Sequence, residues 1–147
     1  DLDYLIIDLP PGTGDIHLSL VQTVQLSGAV VVSTPQDVAL ADARKGVGMF
    51  RLEAVDVPVL GMIENMAYFR PEDALDKKYH IFGRDGVKRL AETLDTTFLG
   101  ELPLLQTVRE AGDAGRPAVM QTDSNASAAF RAVVSNLLDV LGKNVDE

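Results

Sequence analysis

The residues best suited to chemistry stand near the start of the chain. Asp8 follows the apolar run Leu5-Ile6-Ile7 and precedes Leu9-Pro10-Pro11-Gly12-Thr13-Gly14, after which Asp15 opens a helical pattern. A carboxylate at a strand end can hold a magnesium shell, and a glycine just beyond it lets a backbone amide approach a terminal phosphate closely. Gly12-Thr13-Gly14 at a helix start adds unpaired N–H groups suited to an anion. So short a motif also has a plain reading, in which Asp8 ends a strand and the glycines turn the chain. His17 and His80 lack a second histidine at ligand spacing and read as surface or locally hydrogen-bonded residues, while Met49, Met62, Met66 and Met120 read as core fillers. With zero cysteines, the chain can build no thiolate nucleophile, disulfide or Cys-ligated zinc or iron–sulfur site.

These residues need a scaffold, and the hydrophobic pattern supplies an alternating one. Leu5 to Leu9 reads as a strand buried on both faces of a parallel sheet. A helix from Asp15 carries Ile16, Leu20, Val21 and Val24. A strand at Ala29 to Ser33, a turn at Thr34-Pro35-Gln36 and a helix from Asp37, with Leu40, Ala43, Val47 and Phe50 on one face, come next. Val57 to Ile63 is a third strand, and Ala67 to His80 shows no period and reads as a long surface loop. Then follow a helix at Gly86 to Leu94, a strand at Thr97 to Leu102, a short helix at Gln106 to Ala111, and a last helix capped by Ser124. That last helix carries Ala126, Phe130, Val133, Val134, Leu137, Leu138 and Leu141. Strands alternating with helices give an α/β fold with a mostly parallel sheet, and residues 1–147 show no second domain.

Composition narrows the function. Twenty-two acidic against 13 basic residues give a formal charge of −9, which repels nucleic acid and anionic membrane over most of the surface. No apolar run approaches the roughly 18 to 20 residues needed to cross a bilayer, and the first residues show no leader, so the chain reads as cytoplasmic.

Asp3-Tyr4-Leu5-Ile6-Ile7-Asp8-Leu9-Pro10-Pro11-Gly12-Thr13-Gly14-Asp15 resembles the signature segment of the Mrp/ApbC family of P-loop ATPases, which carry iron–sulfur clusters. Further similar segments follow in order: Thr34-Pro35-Gln36-Asp37-Val38-Ala39-Leu40, Gly61-Met62-Ile63-Glu64-Asn65-Met66, His80-Ile81-Phe82-Gly83, and Leu102-Pro103-Leu104 with Val108-Arg109-Glu110 and Gly112-Asp113-Ala114-Gly115. The resemblance implies a MinD-like fold, a homodimer, ATP and Mg²⁺ as ligands, and the assembly or delivery of iron–sulfur clusters to acceptor or scaffold proteins. By position it makes Asp8 the second acidic residue near Mg²⁺ and Gly12 the switch glycine whose amide senses the γ-phosphate. Asn65 would read adenine, since a side-chain amide offers both donor and acceptor, and Pro103 with Leu104 would wall the base pocket. An asparagine that satisfies its own loop and a proline that ends a strand are the plainer readings.

Two departures qualify the resemblance. No Gly-x-x-x-x-Gly-Lys-[Ser/Thr] is present, so residues 1–147 are expected to be the C-terminal part of one ATPase domain. Such a chain should not hydrolyse ATP alone, and its open sheet edge predicts self-association or marginal folding. After Asn65-Met66-Ala67-Tyr68-Phe69, Arg70-Pro71-Glu72-Asp73-Ala74-Leu75 stands where many relatives place a Cys-x-x-Cys pair. The competing class is a MinD/ParA-like nucleotide-switched scaffold, but the last helix sets Arg131 and Lys143 against Asp139, Asp146 and Glu147 and lacks the basic face of the membrane-bound version. A dinucleotide oxidoreductase fails, because His17 and Arg51 stand where Gly-x-Gly-x-x-Gly needs its third glycine.

Overall fold

The structure is a computed structural model that describes residues 2–10, 12, 14–71, 77–120 and 125–145. Strands β1 (Ala29–Ser33), β2 (Val59–Glu64) and β3 (Phe98–Glu101) form a parallel sheet in the order β1-β2-β3. β2 takes the centre because its run Leu60-Gly61-Met62-Ile63 offers no polar face to solvent, and all four residues are buried.

Helices α2 (Asp37–Phe50) and α3 (Gly86–Thr93) cover one face of the sheet. Ala43, Val47, Met49 and Phe50 of α2 join Val87, Leu90 and Ala91 of α3 over Val31 and Met62 in one apolar core. Helix α5 (Asn125–Val145) covers the other face, where Val133, with Phe130 and Leu137 beside it, packs on Ile63, Leu99 and Leu102. The β2–β3 register shifts between Met62 and Ile63, and nearby the Leu99 carbonyl accepts the Asn136 side-chain amide of α5 at 2.8 Å. Helix α1 (Asp15–Thr23), helix α4 (Gln106–Asp113) and a 3-10 turn at Ala118–Met120 complete the described elements. The Ser124 cap lies outside the described residues.

Several expectations need correction. Leu5 to Leu9 is not a buried strand: it joins no sheet, and Leu5 and Ile6 are 75% and 86% exposed. An apolar run becomes a central strand only when neighbours bond both its edges, and among the described residues nothing pairs with it. Only Leu9 reaches the core, packing beside Leu18, Val21 and Leu26. Helix α1 therefore buries Leu18, Val21 and His17 while Ile16 faces out and Val24 lies past its end. On α5, Val134 and Leu138 are exposed, since one sheet face accommodates a narrower stripe than the sequence offers. Met66 and Met120 are likewise exposed rather than core fillers. The segment from Ala67 to His80 is no featureless loop: Phe69 and Tyr79 exchange backbone hydrogen bonds at 2.8 and 2.9 Å, and Phe69 also bridges Leu104 in parallel.

Candidate functional site

In open parallel sheets ligands lie beyond the carboxyl ends of the strands. Here β2 and β3 continue side by side past their formal ends. Leu102 N–H donates to the Glu64 carbonyl at 2.8 Å, Ala67 N–H to Leu102 at 3.0 Å, and Leu104 N–H to Tyr68 at 2.8 Å. This ladder brings Asn65, Pro103 and Leu104 to one end of the sheet, with Pro103 buried and the other two half-buried. Asn65 is held to β1 by its N–H on the Ser33 carbonyl at 2.8 Å, and its Oδ1 accepts Met66 N–H at 3.0 Å. A backbone donor fixes which way the amide faces, and the Asn65 NH₂ makes no bond among the described residues. Asn65 thus does satisfy its own turn, while keeping a donor and a spare acceptor lone pair.

The turn is strained. Among the described residues four non-glycines have positive φ; three are aspartates, which tolerate it, and the fourth is Met66 at 54°. A long side chain held there needs surroundings that enforce the conformation, and such residues cluster at functional turns.

Met66 is held on both sides by backbone bonds, Asn65 N–H to the Ser33 carbonyl and Ala67 N–H to the Leu102 carbonyl. The Thr34-Pro35-Gln36 turn packs on the start of α3, where a Cβ on Gly86 would lie 2.6 Å from the Pro35 carbonyl oxygen. Only glycine permits that approach. Glu64, 1% exposed, sends Oε2 to Val87 N–H at 2.8 Å and so caps α3, whose own N-cap Asp85 sits at φ 54° with no side-chain cap. Burial pushes the Glu64 carboxyl above its ordinary range; the Val87 N–H pulls it back, while the Asp85 and Glu101 carboxylates push it further up. The sequence signal for Glu64 was slight: one acid directly after a buried apolar run.

Beside this turn Tyr68 is buried with Lys78 Nζ 3.9 Å above its ring and the Arg70 guanidinium 5.6 Å from its centroid. Lys78 pairs with Glu101 at 3.1 Å, and His80 Nδ1 bonds the Ala67 carbonyl at 3.0 Å, the local role expected of it. Cation, ring and ion pair brace the chain around Tyr68.

Asp8 and Gly12 belong to the segment that leads into α1. Asp8 is exposed, and Gly12 is exposed at φ 99°, a conformation open to glycine, while Pro11 and Thr13 lie outside the described residues. No hydrogen bond among the described residues joins Asp8 or Gly12 to Asn65, Pro103 or Leu104. The loop is anchored by His17, 5% exposed, whose Nε2–H donates to the Pro10 carbonyl at 2.8 Å. Among the described residues no three His, Asp or Glu gather as a metal cage. One exposed carboxylate fits a magnesium ion whose other ligands are water and phosphate. A chain with zero cysteines does not fit a thiolate-held cluster, and no cluster-binding step is derived for it.

A parallel sheet covered by helices on both faces, with polar turns at its carboxyl end, is the architecture of the P-loop NTPase class. A nucleotide-binding protein from Archaeoglobus fulgidus, solved in complex with ADP, superposes with a TM-score of 0.69 at 40% identity, over 78% of this chain and 46% of that one. The Pyrococcus furiosus cell division ATPase MinD superposes at 0.55 with 22% identity, over 78% of this chain and 43% of that one, which shows the fold alone. The profile of the NUBPL iron-transfer P-loop NTPase family (ParA) matches residues 1–138, and the chain belongs to that family. The chain is 50% identical over 138 residues to the mouse iron-sulfur cluster transfer protein NUBPL, spanning 93% of this chain and 42% of that protein. It is 54% identical to an iron-sulfur cluster carrier protein of Deinococcus radiodurans, over 93% of this chain and 38% of that one. For the Escherichia coli carrier protein the figures are 48%, 95% and 36%. The chain thus spans about two fifths of these relatives' length. Among the described residues no helix is long and apolar enough to cross a membrane.

Proposed function

We propose that this chain is the switch and base-binding portion of an ATP-hydrolysing iron–sulfur cluster carrier. ATP binds with Mg²⁺ at the carboxyl end of the sheet. Asn65 reads the adenine edge against Pro103 and Leu104, Asp8 holds the magnesium shell, and the Gly12 amide reports the γ-phosphate. The carrier acts as a cytoplasmic homodimer, and acceptor or scaffold proteins receive the cluster, whose ligands this chain does not supply. Residues 1–147 alone do not hydrolyse ATP: phosphoryl transfer is catalysed by positioning and electrostatics, and no Gly-x-x-x-x-Gly-Lys-[Ser/Thr] is present to grip the phosphates.

The observation that carries this proposal is the identity of about half the residues, over nearly the whole chain, to proteins named as iron–sulfur cluster carriers. The test is Mg-dependent ATP hydrolysis by the full-length protein carrying this sequence, by its Asp8→Ala variant and by residues 1–147 alone. Activity in the first only is expected. Full activity in the Asp8→Ala variant would remove Asp8 from the mechanism, and no hydrolysis by the full-length protein would end the ATPase assignment. Anaerobic loading with iron and sulfide, followed by transfer to an apo-acceptor, tests the carrier role.

A further inference from the structure

Glu64 is a buried carboxylate without a part in phosphate chemistry, and its position calls for a reason. A buried charge costs more than an apolar side chain of the same volume, so it persists where its acceptor oxygens are needed. They serve α3: Oε2 accepts Val87 N–H at 2.8 Å. The Asp85 carboxylate, itself 3.3 Å from Arg84, and the Glu101 carboxylate, 3.1 Å from Lys78, both repel Glu64's negative charge. The same helix start lies close against the β1 turn, where a Cβ on Gly86 would stand 2.6 Å from the Pro35 carbonyl oxygen. Glu64's main chain is tied as well, since its carbonyl accepts Leu102 N–H and the next residue, Asn65, donates to Ser33.

We propose that Glu64 is the positioning residue of the base site: by fastening the end of β2 to the start of α3 it locks the strained Asn65–Met66 turn in the orientation that reads the base. This rests on the assignment of Asn65 to the base. Without the carboxylate, the backbone bonds of Asn65 remain, but the strand end is free to tilt against α3 and the Asn65 amide loses its fixed direction. Grip on the base falls while grip on the phosphates, held elsewhere, does not.

The experiment uses the full-length protein with Glu64→Leu, which keeps the volume without an acceptor, and Glu64→Gln, which keeps one acceptor oxygen. Binding of Mg-ADP and of Mg-pyrophosphate, which has no base, is measured by titration calorimetry. Glu64→Leu should weaken ADP roughly tenfold, the worth of a hydrogen bond lost between a misaligned Asn65 amide and the base, and leave pyrophosphate unchanged, with Glu64→Gln restoring most of the ADP affinity. A Glu64→Leu protein that binds ADP like wild type overturns the proposal, as does one that loses ADP and pyrophosphate in equal proportion, which is the mark of a merely structural residue. Should Glu64→Leu not fold, as judged by circular dichroism, Glu64→Asp, shorter by one methylene, replaces it, and the same two results overturn the proposal. Wild-type protein that binds pyrophosphate no worse than ADP removes the base-site assignment and this proposal with it; failure of the Glu64 variants alone leaves that assignment standing.

Discussion

Substituting glycine by alanine in a helix ordinarily stabilises, and this fold makes the same change act with opposite signs at two sites. At Gly48 in α2 a Cβ would meet no atom within 4 Å, so Gly48→Ala should gain about 0.5–1 kcal/mol from unfolded-state entropy and helix propensity. At Gly86 the new Cβ would stand 2.6 Å from the Pro35 oxygen, 2.9 Å from its Cα and 3.0 Å from Leu40 Cδ1. Carbon contacts settle near 3.5–4.0 Å, so backbone on one side must move by roughly an ångström. Overpacking of that kind costs about 1–3 kcal/mol. The propensity gain is smaller at the first helical residue, so the net loss is about 1–2 kcal/mol. With a urea slope of about 1–3 kcal/mol/M, the midpoint of Gly86→Ala should fall by roughly 0.5–1 M while that of Gly48→Ala rises. Equilibrium urea unfolding by circular dichroism reads both. A Gly86→Ala midpoint at or above wild type would refute the close packing of the β1 turn on α3.

Other expectations follow from the same geometry. The raised Glu64 carboxyl favours the folded state most below its unfolded value, and that contribution is lost as pH rises through the folded one; the urea midpoint of wild type relative to Glu64→Gln should therefore rise as pH falls from neutral toward the ordinary carboxylate range. A difference that stays flat over that range would contradict the burial of the charge. Arg51 donates to the Leu94 and Asp95 carbonyls and to Thr96 Oγ1 at 2.8, 3.3 and 2.7 Å, so Arg51→Ala should cost about 1–2 kcal/mol, and an unchanged thermal midpoint would show that water replaces the set. The apolar run with Leu5 and Ile6 exposed should drive concentration-dependent association of residues 1–147; the double variant Leu5→Lys, Ile6→Lys should sediment at lower mass with the same unfolding midpoint. If wild type sediments as a monomer at every concentration, that run is not an adhesive surface.

What could be read from the sequence was what periodicity encodes. The stripe of Ala43, Val47 and Phe50 and the unbroken run of β2 each specify one element and its buried side, and β1 to β3 and α2 to α5 stand close to where the pattern put them. The run at Leu5 to Leu9 shows the limit, because a strand is a relation between segments and no described segment answers it. The Asn65 turn was legible as a strand end followed by an amide. Its supports were not: Glu64 reaches a helix 23 residues away, and Gly86 meets a proline carbonyl from another crossover. Such contacts leave no periodic trace, only a charge or a glycine whose purpose appears when distant segments meet.

The borrowed cap of α3 has a consequence for the order of folding. An eight-residue helix starting from a left-handed Asp85 is too short to nucleate alone, and the carboxylate that accepts the Val87 N–H of its first turn arrives only with β2. α3 is therefore a late arrival, formed once the central strand is in register. Mutations on its solvent face should speed unfolding and leave the refolding rate nearly untouched.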